Sequence, residues 1–209
     1  VFVMHVLLIN GSPHEKGCTY TALSLVAGEL NAAGITTEIL NVGTKPVGGC
    51  IGCGGCAKGN GCVFGGVVNE AIEKARTADA FVFGTPVHYA SASGNMTSFL
   101  DRLAYAGGKY LAYKPAAICA SARRAGTTTT LDQLVKYPEF FHMPLVSGSY
   151  WAMVHGSNPE QVLQDAEGCA VMQELGRNMA WLLRCIEAGK AAGIQHPENP
   201  RRPMTNFIR

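Results

Sequence analysis

Cys50, Cys53, Cys56 and Cys62 form the densest group of reactive side chains in the sequence. They follow the spacing Cys-x2-Cys-x2-Cys-x5-Cys and account for half of the eight cysteines. Cys-x2-Cys-x2-Cys is a spacing used by 4Fe–4S clusters, which take several soft thiolate ligands from one short loop. Nine glycines between positions 48 and 66 free the backbone to wrap an ion and to aim N–H groups at sulfur. Zinc is less natural here, because zinc loops usually pair two separated Cys-x2-Cys units. A redox-active thiol pair is a further option, and the plainest reading is a set of loop cysteines at the mouth of a binding cleft. Cys18, Cys119, Cys169 and Cys185 are scattered and read as packing residues. The six histidines include no pair at metal-ligand helical spacing, so no histidine-based metal site is expected.

A second concentration lies at Gly11-Ser12-Pro13-His14-Glu15-Lys16-Gly17-Cys18-Thr19, between an apolar run and a helical pattern. Hydroxyls and free N–H groups at a helix start suit a phosphate. The order of Lys16, Gly17 and Cys18 is not that of a Walker A loop, and the segment is not G-x-G-x-x-G. It suits one terminal phosphate held by Ser12, Thr19 and nearby amides; an ordinary turn is the alternative. A third segment runs Thr85-Pro86-Val87-His88-Tyr89, then Ser93-Gly94-Asn95-Met96. A proline-led turn with an aromatic, then glycine and a helix start, presents backbone groups along a flat ring.

These segments need a frame. Residues 5–10, 36–42, 79–85 and 115–121 read as buried strands, with the third stopped by Pro86, and 145–153 contains a fifth. Helical spacing predicts helices over 19–33, 67–77, 96–106 and 127–136. A long helix is expected from Pro159 to about Gly189, with Gly168 and Gly176 bending it or packing closely. Strands alternating with helices mean a parallel sheet covered on both faces. Ligands then bind beyond the C-terminal ends of the strands, where the segments above lie. The chain reads as one domain over 1–209, with 193–209 as an extended C-terminal arm on the domain or on a neighbour.

GSPxxxGxT after the first strand, with TPVxY, a glycine and FLDR after the third, resembles the NADPH-dependent FMN reductase family of flavodoxin-like proteins. Ser121-Ala122-Arg123-Arg124-Ala125-Gly126-Thr127 after the fourth strand supplies the third expected segment. The resemblance implies an α/β, flavodoxin-like three-layer sandwich, with a five-stranded parallel sheet in the order 2-1-3-4-5 and FMN at the switch point. It implies that Ser12, Gly17, Cys18 and Thr19 hold the FMN phosphate. Pro86, Val87, His88, Tyr89, Gly94 and Asn95 would frame the ring and ribityl chain. Ser121, Arg123, Arg124, Gly126 and Thr127 would reach the pyrimidine edge. His88 and His155 are candidates for the acceptor pocket, and His155 reads equally well as strand-end packing. Asp101-Arg102 reads as a structural ion pair.

The implied activity is an FMN-dependent NAD(P)H oxidoreductase with a quinone, a nitro- or azo-arene or a flavin as acceptor. The cysteine run also resembles that of iron–sulfur flavoproteins, which exchange single electrons with ferredoxin. It continues here as Phe64-Gly65-Gly66-Val67-Val68, where many simple flavoproteins of the family have an Asp-Asp-Met-like segment. A non-enzymatic flavodoxin-type carrier is a further alternative, although such carriers are typically shorter and acidic, and a nucleotide-binding module with no redox role is the last.

The 209 residues carry a net charge of +2 and a mean hydropathy of +0.10. No basic stripe points to nucleic acid, and no run reaches the ~20 apolar residues of a membrane span. Eight cysteines without an export signal predict a reducing, cytoplasmic setting. Only 15% of residues are charged, against about 25% in average proteins. The deficit predicts that the long helix, residues 150–156 and the tail bury surface against another subunit, and the family resemblance implies a homodimer or homotetramer.

Overall fold

In a computed structural model, residues 3–199 and 203–207 are described. The strands are β1 His5–Asn10, β2 Thr36–Asn41, β3 Ala80–His88, β4 Ser91–Ala92, β5 Ala116–Ala122 and β6 Met153–His155. The helices are α1 Cys18–Ala32, α2 Val67–Thr77, α3 Gly94–Gly107, α4 Thr127–Phe140, α5 Pro159–Gln164 and α6 Ala166–Ala191.

The parallel strands lie in the order β2-β1-β3-β5-β6, and β4 adds a short antiparallel pairing to β3. With β4 set aside, this is the expected order 2-1-3-4-5. Alternation along each strand divides the core. Val6, Leu8 and Val82 face α1 and α6, while Leu7, Ile9, Phe81 and Phe83 face the side covered by α2, α3 and α4. Both faces are buried, as helix-covered parallel sheets require.

Several boundaries differ from the sequence reading, among them the end of α4, which runs on to Phe140. β3 continues through Pro86 to His88. Its neighbour β1 ends at the pair Asn10↔Gly84, so the ladder on that side asks no amide of Pro86. The fifth strand is shifted to Met153–His155, at and beyond the end of the expected stretch, with one isolated bridge, Ala116↔Leu145, before it. The single long helix is two. Asp165 interrupts it and restarts it as a cap, its Oδ1 accepting from Gly168 N at 3.0 Å. Gly176 does pack closely, since a Cβ there would lie 2.7 Å from Val26 O on α1.

The first part of the tail touches the domain, while Met204 and Phe207 are exposed. The His196 ring stacks on Tyr113 at 4.4 Å, and Tyr113 also stacks on His142. Residues 200–202 and 208–209 of the predicted arm lie outside the described residues.

Candidate functional site

The ends of β1, β3 and β5 converge on one edge of the sheet. Asn10 closes β1 as a fully buried polar side chain. Its amide donates to Asn41 Oδ1 at 2.8 Å and Glu15 O at 3.2 Å, and its Oδ1 accepts from Ser12 N at 3.1 Å. These bonds fix the loop entering α1. Ser12 Oγ accepts from His14 N at 3.1 Å. Gly17 starts α1 without a side-chain cap, and the first turn holds no acidic residue. The opening amides of that helix are therefore free to face an anion.

Thr19 and Ser121, both buried, share a hydrogen bond of 2.8 Å that joins the head of α1 to the end of β5. Cys18 donates to Gly156 O at 3.5 Å, and burial pushes its thiol pKa up, so it is a neutral donor here.

Ser12, Cys18, Thr19, Pro86, Val87, His88, Ser121 and Arg123 line one cavity of about 300 Å³, with His14, Ala122, Gly156 and Ser157. His88, Gly94 and Asn95 line a second, of about 320 Å³, with Gly11, Pro13 and Ser93. The two share His88 as a wall, and no carboxylate lines either. Most of the predicted residues are thus brought together.

Five are not on these walls. Gly17 is the cap of α1, and Gly126 is the cap of α4 at φ +93°, pressed against Ala90. Thr127 is buried and donates to Met153 Sδ at 3.1 Å. Arg124 is exposed. Tyr89 stands in solvent at φ +50°, in the two-residue turn between β3 and β4. His155 is turned elsewhere as well. Its amide donates to Asp165 Oδ2 at 2.8 Å, and its ring Nδ1 lies 3.6 Å from the same oxygen.

Asn95 lines its cavity but has its side chain committed to other contacts. It accepts from Val47 N and donates to Gly43 O and Lys45 O, tying the next loop to α3. Sequence reasoning missed Asn10 and Ser157 and gave Ser93 and Gly156, which lie in segments it did single out, no role of their own. A polar residue ending an apolar strand was the available signal for Asn10. Ser93 had the signal of an N-cap: it accepts from Met96 N and donates to Gly11 O at 2.8 Å.

The cysteine loop forms a separate site. Cys50, Cys53, Cys56 and Cys62 all line one cavity of about 210 Å³, with Val63, Phe64, Arg102, Tyr105 and Ala106 among its other walls. Gly52, Gly54, Gly59, Gly61, Gly65 and Gly66 have positive φ, the left-handed turns that let so short a segment curl back. Arg102, Tyr105 and Ala106 come from one face of α3, at helical spacing. Arg102 is only 6% exposed. Its Nε donates to Cys62 Sγ at 3.2 Å, and its other nitrogens donate to Gly48 O at 3.2 Å and Gly65 O at 3.0 Å. The expected Asp101–Arg102 ion pair is not formed, because Asp101 accepts from Tyr137 Oη at 2.6 Å. Among the described residues, no three His, Cys, Asp or Glu side chains converge on a single-ion position.

The sequence matches the profile of NADPH-dependent FMN reductases over residues 4–158. It is 26% identical over 193 residues to an iron–sulfur flavoprotein of Methanocaldococcus jannaschii, covering 88% of this chain and 100% of that protein. It is 33% identical over 99 residues to an iron–sulfur flavoprotein of Archaeoglobus fulgidus, covering 47% of this chain and 48% of that one. Among solved structures, the NAD(P)H:quinone oxidoreductase of Methanothermobacter marburgensis superposes with a TM-score of 0.64 at 17% identity, over 85% of this chain and 96% of that one. At that identity the likeness shows a shared flavodoxin-like fold.

Proposed function

The chain belongs to the NADPH-dependent FMN reductase family, and we propose that it is an FMN-dependent NAD(P)H oxidoreductase passing electrons to a small acceptor such as a quinone, a nitro- or azo-arene or a flavin. The observation that carries this is the carboxylate-free cavity where the ends of β1, β3 and β5 meet the uncapped start of α1.

The residues present fit FMN. Ser12, Thr19 and the first amides of α1 would hold its phosphate, Pro86–His88 and Ser93–Asn95 would flank the ring, and Ser121 and Arg123 would supply donors at its pyrimidine edge. Bound FMN supplies hydride acceptance from nicotinamide and delivery of electrons onward. The protein's share is placement and charge. Arg123 puts a positive charge on a wall that lacks acidic residues, which favours an anionic ligand there. The Thr19–Ser121 bond keeps two of these walls at a fixed distance. No helix among the described residues is long and apolar enough to cross a membrane. All eight cysteines are free, which suits a reducing, cytoplasmic setting.

Anaerobic addition of NADH or NADPH to the FMN-loaded protein tests the proposal. Bleaching of the flavin band, and its return with a quinone, is the expected result. A protein that binds no FMN overturns it.

A second reading adds a 4Fe–4S cluster at Cys50, Cys53, Cys56 and Cys62. It is favoured by four thiols around one cavity with a buried guanidinium aimed at a sulfur. The iron–sulfur flavoprotein of Methanocaldococcus jannaschii, matched over its whole length, points the same way. Iron and sulfide analysis of anaerobically prepared protein decides it. We further propose a homodimer or homotetramer, which sedimentation would test.

A further inference from the structure

Arg102 is a buried cation without an acidic partner. None of the ion pairs among the described residues includes it, and its neighbour Asp101 is committed to Tyr137. Its three hydrogen bonds go to two neutral carbonyls and to the sulfur of Cys62. The ring of Phe64, 5.4 Å from the guanidinium carbon, adds only a partial charge contact. A guanidinium does not shed its charge, and burying one without an anion is costly. The place for that anion is the cavity the arginine lines, whose walls hold four thiols and no carboxylate.

Resting on the cluster reading above, we propose that Arg102 is the charge partner and positioning residue of a 4Fe–4S cluster held by these cysteines. Thiolate ligands make such a cluster anionic, so loading it supplies the missing counter-charge. The N–H···S bond to Cys62 then raises the reduction potential, since hydrogen bonds to sulfur stabilise the more negative, reduced form. The bonds to Gly48 and Gly65, which bracket the four cysteines in sequence, hold both ends of the loop in place for the ligands. Arg102 acts through Cys62 and the loop; it carries no electron itself.

The test compares wild type, Arg102→Gln and Arg102→Lys as full chains, with FMN binding as the check on folding. Each is reconstituted anaerobically with ferrous iron and sulfide. The Gln variant, which keeps a donor but loses the charge, should lose iron to a chelator at least about tenfold faster than wild type. The clusters it retains should have a lower midpoint potential. The Lys variant, which keeps charge without the fork, should lose iron but stay nearer the wild-type potential. A Gln variant equal to wild type in iron retention and potential overturns the proposal while leaving the cluster reading standing. Faster iron loss with an unchanged potential overturns the charge role and leaves a loop clamp. Wild type that takes up no iron sinks the cluster reading, and this proposal with it.

Discussion

Asn10 and Arg102 are both buried side chains that hold a loop, and they do it by opposite means. Asn10 is neutral and closes its own circle, bonding to Asn41, Glu15 and Ser12 around the end of β1. These bonds hold the loop from β1 to α1, which forms one wall of the strand-end cavity. Arg102 brings a charge that the protein around it does not balance, and holds a glycine-rich loop by the carbonyls of Gly48 and Gly65. The first region is complete without its ligand. The second is poised for what fills it. A site on strand ends costs little extra stability to organise, whereas a glycine-rich loop needs its ordering offset by what it binds.

The strongest way to break this contrast is at the junction of the two regions. Gly43 donates to Asn10 O and accepts from Asn95, at the start of the segment that leads into the cysteines. A Cβ there would lie 2.3 Å from Ser12 O and 2.4 Å from Gly11 O, both backbone atoms of the phosphate-type loop. Gly43→Ala should cost about 1–3 kcal/mol or more, because two backbones must part. The melting temperature should fall by about 2–12 °C, and FMN affinity should drop with it. A variant that melts like wild type would show that the two regions move apart freely.

Asn10→Leu tests the first region alone. It leaves the acceptor Asn41 Oδ1 and the buried Ser12 amide without their partner, a loss of about 1–3 kcal/mol. Urea titration should show that loss and flavin titration a weaker FMN complex. Alkylation of Cys50 and Cys53, which are exposed, should keep its wild-type rate. A changed rate would mean that the cysteine loop leans on the Asn10 network.

How much of this was legible in the sequence follows the same division. The strand-end region was readable because period and position agree: residues 5–10 form β1 as predicted, and the motif residues fall beyond strand ends, where the topology puts ligands. Asn10 itself escaped, since one polar residue closing an apolar run looks like the boundary rather than the anchor. The cysteine spacing was plain, but its partner was not. Arg102 sits forty residues away on α3, and the adjacent Asp101 invited an ion pair. Only the tertiary fold turns Asp101 to Tyr137 and Arg102 to Cys62. The break at Asp165 was hidden because Asp is tolerated inside a helical pattern and also caps one, and its bond to the His155 amide is long-range in effect.

The thiols sharpen the contrast a second time. Cys119 is buried in β5, and burial pushes its pKa from 9.0 up to about 12. The folded state therefore keeps this proton while the unfolded chain loses it. The contribution is complete below about 9 and disappears as pH rises towards about 12, at about 1.4 kcal/mol per pH unit. Urea midpoints measured upward from neutral pH should show this alkaline loss, and Cys119→Ala should reduce it. An unchanged slope in the variant would assign the alkaline loss to other groups. Iodoacetamide should label Cys50 and Cys53 in the native protein and spare Cys119.

The smallest effect is the most telling about independence. If the strand-end cavity is complete by itself, the cysteine loop contributes nothing to FMN affinity. The four cysteines line their own cavity and share no lining residue with the two cavities at the strand ends. Cys50→Ser/Cys53→Ser should therefore bind FMN within about twofold of wild type, less than the ~1.4 kcal/mol that a factor of ten represents. Fluorescence titration of the metal-free proteins measures this directly. A tenfold loss would mean that energy crosses from one region to the other through Gly43, Lys45 and Val47, the three backbone groups that Asn95 holds between them.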